Sequence, residues 1–261
     1  MDDKKISIVV SVYNEEKVLN KFLEAFENMK MDIVWNYELI FVDDGSYDNS
    51  LSILYEASKK EKNIKVISFS RNFGHEAAMI AGIDYSTGDG IICMDADLQH
   101  PLECIPKIIK KFEDGYEIVN MVRVSNESAG VIKNITSSIF YKVVNILSSE
   151  TSFEENVSDF FAVSSRVADI LKKNYREKSR FLRGYVQSVG FNKTSLEYKA
   201  LERAGGTSHY SFKKLVKFSI STIICFSDFP LKLGVYTGLL SAVIGVIMLF
   251  YTILTYKNAP S

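Results

Sequence analysis

The sequence predicts an α/β fold: a mostly parallel sheet flanked by helices, followed by a long apolar helix. Three observations predict this. Between Lys5 and Arg123, short apolar runs alternate with amphipathic stretches, and the connections are short. Each run ends in polar or charged residues, as the ligand-binding edge of a parallel sheet does. From Leu233 to Tyr256 there is no charged residue. As a helix that stretch reaches roughly 36 Å, against a hydrocarbon core of about 30 Å.

The elements follow in order. Lys5 to Ser11 reads as a strand, and Glu15 to Met29 as a helix with Val18, Leu19, Phe22, Phe26 and Met29 on one face. Glu38 to Val42 is a strand that ends in the turn Asp43-Asp44-Gly45-Ser46. Asn49 opens a helix to about Lys60, Val66 to Phe69 is a strand, and Glu76 to Tyr85 a short helix. Ile91-Ile92-Cys93-Met94 is a buried strand running into Asp95-Ala96-Asp97-Leu98-Gln99-His100-Pro101, with Pro101 suited to the first turn of a helix over 102–112. Ile118 to Val122 is a strand ending at Arg123. Ile132 to Leu147 has helical spacing, Val157 to Val163 is apolar apart from Ser158 and Asp159, Arg180 to Val189 is a helix, and Thr194 to Lys199 a strand. A Gly-rich basic loop over 202–210 leads to an interfacial amphipathic helix over 212–226, where Phe212, Leu215, Val216 and Ile220 oppose Lys213, Lys214 and Lys217.

Composition narrows the classes. A net charge of −1 over 261 residues gives a nucleic-acid partner no electrostatic support. Cys93, Cys104 and Cys225 have neither metal-ligand nor disulfide spacing and read as small buried residues of a reducing compartment. The polar start, running straight into a strand, predicts no signal peptide. Tyr236, Tyr251 and Tyr256 flank the apolar segment as interfacial aromatics do. Lysines 213, 214, 217 and 232 precede it and Lys257 alone follows, which places the large domain in the cytoplasm.

The polar strand ends Tyr13-Asn14-Glu15, Asp43-Asp44, Arg71-Asn72, Asp95-Ala96-Asp97 and Arg123 predict one cleft. There is no G-x-G-x-x-G after the first strand and no G-x-x-x-x-G-K-[ST], so neither a dinucleotide fold nor a P-loop is expected. Phosphates are then left to a metal and to arginines, which Asp95, Asp97, Arg71 and Arg123 can supply. All-oxygen ligands suit Mg²⁺ or Mn²⁺ sharing a shell with a substrate diphosphate. The competing reading of Asp95 and Asp97 is a pair of helix-capping acids. Asp43 or Asp44 can accept from a base or ribose. Asp159, a lone acid beside a buried strand, is either structural or functional.

Several stretches together resemble the polyprenyl-phosphate glycosyltransferases of glycosyltransferase family 2, the dolichol-phosphate mannosyltransferase-like group. They are Val12-Tyr13-Asn14-Glu15-Glu16, Phe41-Val42-Asp43-Asp44-Gly45-Ser46, Ser70 to Glu76, Met94 to Pro101, Ser158-Asp159-Phe160, and Arg203-Ala204-Gly205 with Ser208, in the family's order over nearly the whole chain. The resemblance implies a GT-A fold and an inverting transfer, with glucose from UDP-glucose the favoured sugar and undecaprenyl phosphate the acceptor. It implies that Tyr13, Glu15, Asp43, Asp44 and Arg71 line the nucleotide pocket. Asp95, Ala96 and Asp97 would meet the nucleotide sugar, and Asp95, Asp97 and Gln99 the divalent ion, Mg²⁺ or Mn²⁺. Asp159 would be the catalytic aspartate, and Arg123, Arg203 and His209 would contact phosphate or acceptor.

The sequence departs from the family pattern at Ser11 (often Pro), Phe161 (often Arg), Lys199 (often Arg) and His209 (often Lys). It carries one apolar segment where the bacterial members have two. The expected organisation is a cytoplasmic catalytic domain over 1–208, a juxtamembrane helix over 209–231, a transmembrane helix over 232–256 and a tail over 257–261. The expected partners are a nucleotide sugar, a polyprenyl phosphate, the membrane and, as an option, further copies of the chain. Two other readings stand beside this one. A family 2 transferase acting on a sugar or polysaccharide has against it the missing Gln-x-x-Arg-Trp motif. A non-catalytic membrane scaffold has against it the presence of Asp95, Asp97 and Asp159.

Overall fold

The computed structural model describes residues 4–124, 157–176, 181–201 and 229–257. Its centre is a seven-stranded sheet of order β3-β2-β1-β4-β6-β5-β7. The strands are β1 (Lys5–Val12), β2 (Asn36–Asp43), β3 (Ile64–Ser68), β4 (Gly90–Asp95), β5 (Ile118–Arg123), β6 (Val157–Ser164) and β7 (Lys193–Tyr198). β1, β2, β3 and β4 pair in parallel, and β6 alone is reversed, antiparallel to both β4 and β5. Two sign changes make β5 parallel to β4, and β7 follows β5. The carboxyl ends of six strands and the amino end of β6 therefore share one edge.

Helices cover both faces, so the central strands are apolar on both sides. Alternate side chains of β1 divide between two cores. Ile6, Ile8, Val10 and Val12 join the side packed by α1 (Glu16–Met29), α2 (Ser50–Lys60) and α4 (Cys104–Glu113). Val9 joins the side packed by α3 (His75–Tyr85), α5 (Ser165–Asn174) and α6 (Leu182–Ser188). Phe161, one of the departures from the family pattern, is buried in this second core with Cys93 and Val163 and does not face the cleft.

Most expected elements are present within a few residues. β3 begins and ends earlier than the hydrophobic run suggests, because its register against Leu39 to Asp43 decides its span. Pro101 opens a turn, with Cys104 N–H donating to its carbonyl at 3.2 Å, and α4 begins only at Cys104. α5, capped by the Ser164 hydroxyl accepting from Val167 N–H at 3.3 Å, was not evident from the sequence pattern. Its apolar stripe, Val167, Ala168 and Leu171, is short and interrupted by charge. The expected helices over 132–147 and 212–226 lie outside the described residues.

The last helix, α7 (Phe229–Lys257), contains 25 residues, Leu231–Thr255, with mean hydropathy 2.2 and none of that window buried. By length and composition it is the one described helix able to cross a membrane. Among the described residues its apolar side chains join neither core of the sheet domain.

Candidate active site

The sheet edge gathers the expected strand ends. At the end of β4, Asp95 Oδ1 accepts from the Ser11 hydroxyl at 2.9 Å. The same oxygen lies 3.0 Å from His75 Nε2, an ion-pair distance without hydrogen-bond alignment. The Asp95 backbone N–H donates to His100 Nδ1 at 3.0 Å, and the His100 ring stacks on Phe160, centroids 4.9 Å apart. Asp97 is only 4% exposed, and its Oδ1 accepts from Gln99 N–H at 3.0 Å. This closes a tight turn in which Leu98 takes a left-handed backbone, φ 62°. A non-glycine residue held there marks a turn fixed by its surroundings, as at ligand clamps. The two acids do not cap α4, which starts seven residues beyond Asp97.

β6 brings Asp159 to the same place. β4 and β6 pair as Ile91↔Val163, Ile92↔Ala162 and Cys93↔Phe161. The pairing ends there, two residues short of Asp95 and Asp159, and His75 lies close enough to both carboxylates for each to raise its pKa. A bulge between β5 and β6 near Asn120 and Val122 frees the start of β6 from regular pairing. Asp159 keeps 36% of its side-chain surface open, and its Oδ1 is 3.7 Å from Arg183 Nε in α6. Arg183 Nη1 also donates to the Val157 carbonyl at 3.2 Å.

The charges around this pair are not at their ordinary set points. Burial works to raise the Asp159 pKa, but Arg183, His75 and His100 outweigh it and hold the carboxyl below the usual aspartate range. Burial works to lower that of His75, yet Asp95, Asp159, Glu76 and Asp44 raise it above the ordinary histidine value. Glu76, beside His75 on α3, is pushed up to about 7 by burial and by Asp159.

On the other side of Asp95, the loops after β1 and β2 interlock. Asn14, at φ 56°, donates its N–H to the Ser46 hydroxyl at 2.9 Å and accepts from Tyr47 N–H at 2.9 Å. Tyr13 and Tyr47 meet edge to face at 6.5 Å, and Glu15 N–H donates to the Ser50 hydroxyl at 2.8 Å. Both oxygens of Asp43 lie 3.3 Å from Ser46 N–H. Asp44, only 3% exposed, accepts from Phe73 N–H at 2.6 Å and Gly74 N–H at 2.9 Å. Its pKa is raised by burial. Asp44 thus shapes the wall of the cleft through the 73–74 backbone. Arg71 is exposed on that wall, its guanidinium 4.1 Å from the centre of the Phe73 ring. Arg123, at the end of β5, is exposed at the same edge. Arg203 and His209 lie outside the described residues.

Among the described residues, no three His, Cys, Asp or Glu side chains converge as a closed metal cage. The fit is instead to an ion held partly by substrate: Asp95 and Asp97 offer hard oxygens at one strand end, and diphosphate oxygens and waters complete such a shell. Four side chains of the site had no role assigned from the sequence: His75, Glu76, His100 and Arg183. His75, Glu76 and His100 lie within the stretches that resemble the family, which was their only signal; Arg183, in α6, had none.

A protein-family comparison matches residues 7–180 to Glycosyl transferase family 2. The chain belongs to that family. It is 40% identical over 244 residues to the uncharacterized glycosyltransferase YkcC of Bacillus subtilis (strain 168), covering 94% of this chain and 75% of that protein. It is 37% identical over 241 residues to the bactoprenol glucosyl transferase of Shigella phage SfX, covering 91% and 77%. A Mycobacterium tuberculosis glucosyl-3-phosphoglycerate synthase, solved with Mn²⁺, UDP-glucose and phosphoglyceric acid, superposes with TM-score 0.56 at 17% identity, covering 84% and 77%. That likeness shows the fold. The protein is a glycosyltransferase with a GT-A fold, and the resemblance to the polyprenyl-phosphate group is borne out.

Proposed function

We propose that this glycosyltransferase moves glucose from UDP-glucose onto a polyprenyl phosphate, undecaprenyl phosphate, at the cytoplasmic face of the membrane, by an inverting transfer. The observation that carries the reading is the pairing, in one chain, of the Asp95–Asp159 cleft with a 25-residue apolar helix that the domain leaves unburied. A polyprenyl acceptor cannot leave the bilayer, so its transferase must be held at the surface. The relative named bactoprenol glucosyl transferase supports the lipid acceptor, and the structure solved with Mn²⁺ and UDP-glucose supports the donor and a divalent ion.

The chemistry suits the charges. A phosphate acceptor is already ionised at neutral pH and needs no strong base. A carboxyl whose pKa is lowered is a poor proton acceptor but a durable charge, so Asp159 orients the acceptor and stabilises positive charge at the anomeric carbon. Asp95 and Asp97, with Gln99, would hold Mg²⁺ or Mn²⁺, which neutralises the departing diphosphate as a Lewis acid. Tyr13, Glu15, Asp43 and Arg71 line the nucleotide side, Asp44 shapes it, and Ala96, 1% exposed, keeps the backbone between the two acids packed. Arg123, Arg203 and His209 bind the acceptor phosphate.

The test is purified full-length chain with undecaprenyl phosphate, Mg²⁺ or Mn²⁺, and a panel of labelled nucleotide sugars. Label from UDP-glucose entering the organic phase is the expected result. Label that passes only to water-soluble sugars would assign the acceptor to the polysaccharide class instead.

A further inference from the structure

We propose that Glu76 is a positioning residue for Asp159: by accepting from the Leu182 backbone N–H it seats the start of α6, and so sets where Arg183 meets the Asp159 carboxylate. The inference rests on the role given to Asp159 above and extends it to Glu76, the last residue of the Ser70–Glu76 stretch, to which no role was given.

The geometry is a brace built from one helical turn. The entry to α3 is fixed by Asp44, which accepts from Gly74 N–H, with Gly74 at φ 101°. The next two residues then diverge. His75 turns toward β4, its Nε2 3.0 Å from Asp95 Oδ1. Glu76 turns toward α6, its Oε2 2.8 Å from Leu182 N across 106 residues of sequence. α6 is short, Leu182–Ser188, and its N-cap residue Phe181 makes no side-chain cap bond. A helix of that length holds its place chiefly through outside contacts. Glu76 is one such contact. Arg183, the residue after Leu182, is another, bonded to the Val157 carbonyl and paired with Asp159 at 3.7 Å. A single turn of α3 thus spans from the Asp95 side of the cleft to the Asp159 side.

The experiment compares Glu76→Gln and Glu76→Ala in the full-length enzyme, alone and combined with Asp159→Asn. Readouts are kcat, donor KM, melting temperature, and hydrogen exchange at the Leu182 amide. Gln keeps an acceptor for Leu182 N–H, so Glu76→Gln should hold kcat within about threefold. Glu76→Ala should lower kcat by ~10-fold or more, the scale of a misplaced catalytic group, with donor KM nearly unchanged. In the Asp159→Asn background the same Ala substitution should cost less than about twofold, because the residue through which it acts is gone. An unchanged kcat in Glu76→Ala, or a full additive loss in the double variant, overturns the proposal. Where Glu76→Ala does not fold, Glu76→Asp, too short to reach Leu182, takes its place. If the wild-type chain transfers no sugar to the lipid, the functional reading fails on its own. The brace is then judged on exchange alone: faster exchange at Leu182 in Ala but not Gln supports it, and equal exchange overturns it.

Discussion

Asp159 and Glu76 are neighbouring acids that the fold treats in opposite ways. Arg183, His75 and His100 hold Asp159 charged, while burial and Asp159 itself push Glu76 up to about 7. Asp159→Asn removes the charge and keeps the shape. It should leave nucleotide-sugar binding within a few-fold and lower kcat by ~10²-fold or more, the scale of losing one electrostatic group. Near-normal turnover would return Asp159 to a structural role. Glu76 makes a second, thermodynamic prediction. Its folded pKa of about 7 lies above the ordinary value of 4.5, so the folded state binds the extra proton. The stability tied to that proton is complete below about pH 4.5 and is lost as pH rises through about 7. Glu76→Gln cannot lose it. The variant should therefore gain on the wild type between pH 5 and pH 8, by on the order of 1–3 kcal/mol. Thermal unfolding at the two pH values measures this, and a pH-independent difference would refute it.

Turns, more than strands, set the cleft walls. Gly45 sits at φ 68°, and a Cβ there would lie 2.4 Å from the Arg71 carbonyl carbon. Gly45→Ala is strained twice, by the backbone and by contact with a backbone that cannot swing away. It should cost about 1–3 kcal/mol and weaken UDP-sugar binding by shifting Arg71. Calorimetry of unfolding and of UDP binding would show both, and wild-type values in both would mean the two loops are not in close contact. The turn from Asp95 to Gln99 is the other wall. Chelation by EDTA should abolish transfer and added Mn²⁺ or Mg²⁺ restore it. Asp97→Ala should lose metal-dependent donor binding along with turnover, because the ion would join protein to diphosphate. Transfer that survives both treatments would remove the divalent ion from the proposal.

At the scale of the whole molecule, the domain and α7 are held together by the chain and not by a shared core among the described residues. A chain ending before Tyr210 should move to the soluble fraction and still bind the nucleotide sugar, since the described donor-side residues all precede that point. Fractionation and UDP titration test this. Quantitative membrane retention of well-folded truncated protein would place the anchor within the catalytic domain.

The alternation of apolar runs and amphipathic helices determined the α/β class and most element positions, because burial on both sheet faces writes itself into local periodicity, and the uncharged run from Leu233 marked the long apolar helix. It also marked Asp95, Asp97 and Asp159 as acids at strand ends. What periodicity does not carry is direction and register. Only the tertiary structure reversed β6 and shifted its register against β5, which brought Asp159, near a strand's start, to the sheet edge where β4 ends. Only packing brought His75, Glu76 and Arg183 around that pair, and buried Phe161 away from it. Those contacts join residues up to 106 positions apart, and no local pattern of residue types encodes a distance of that kind.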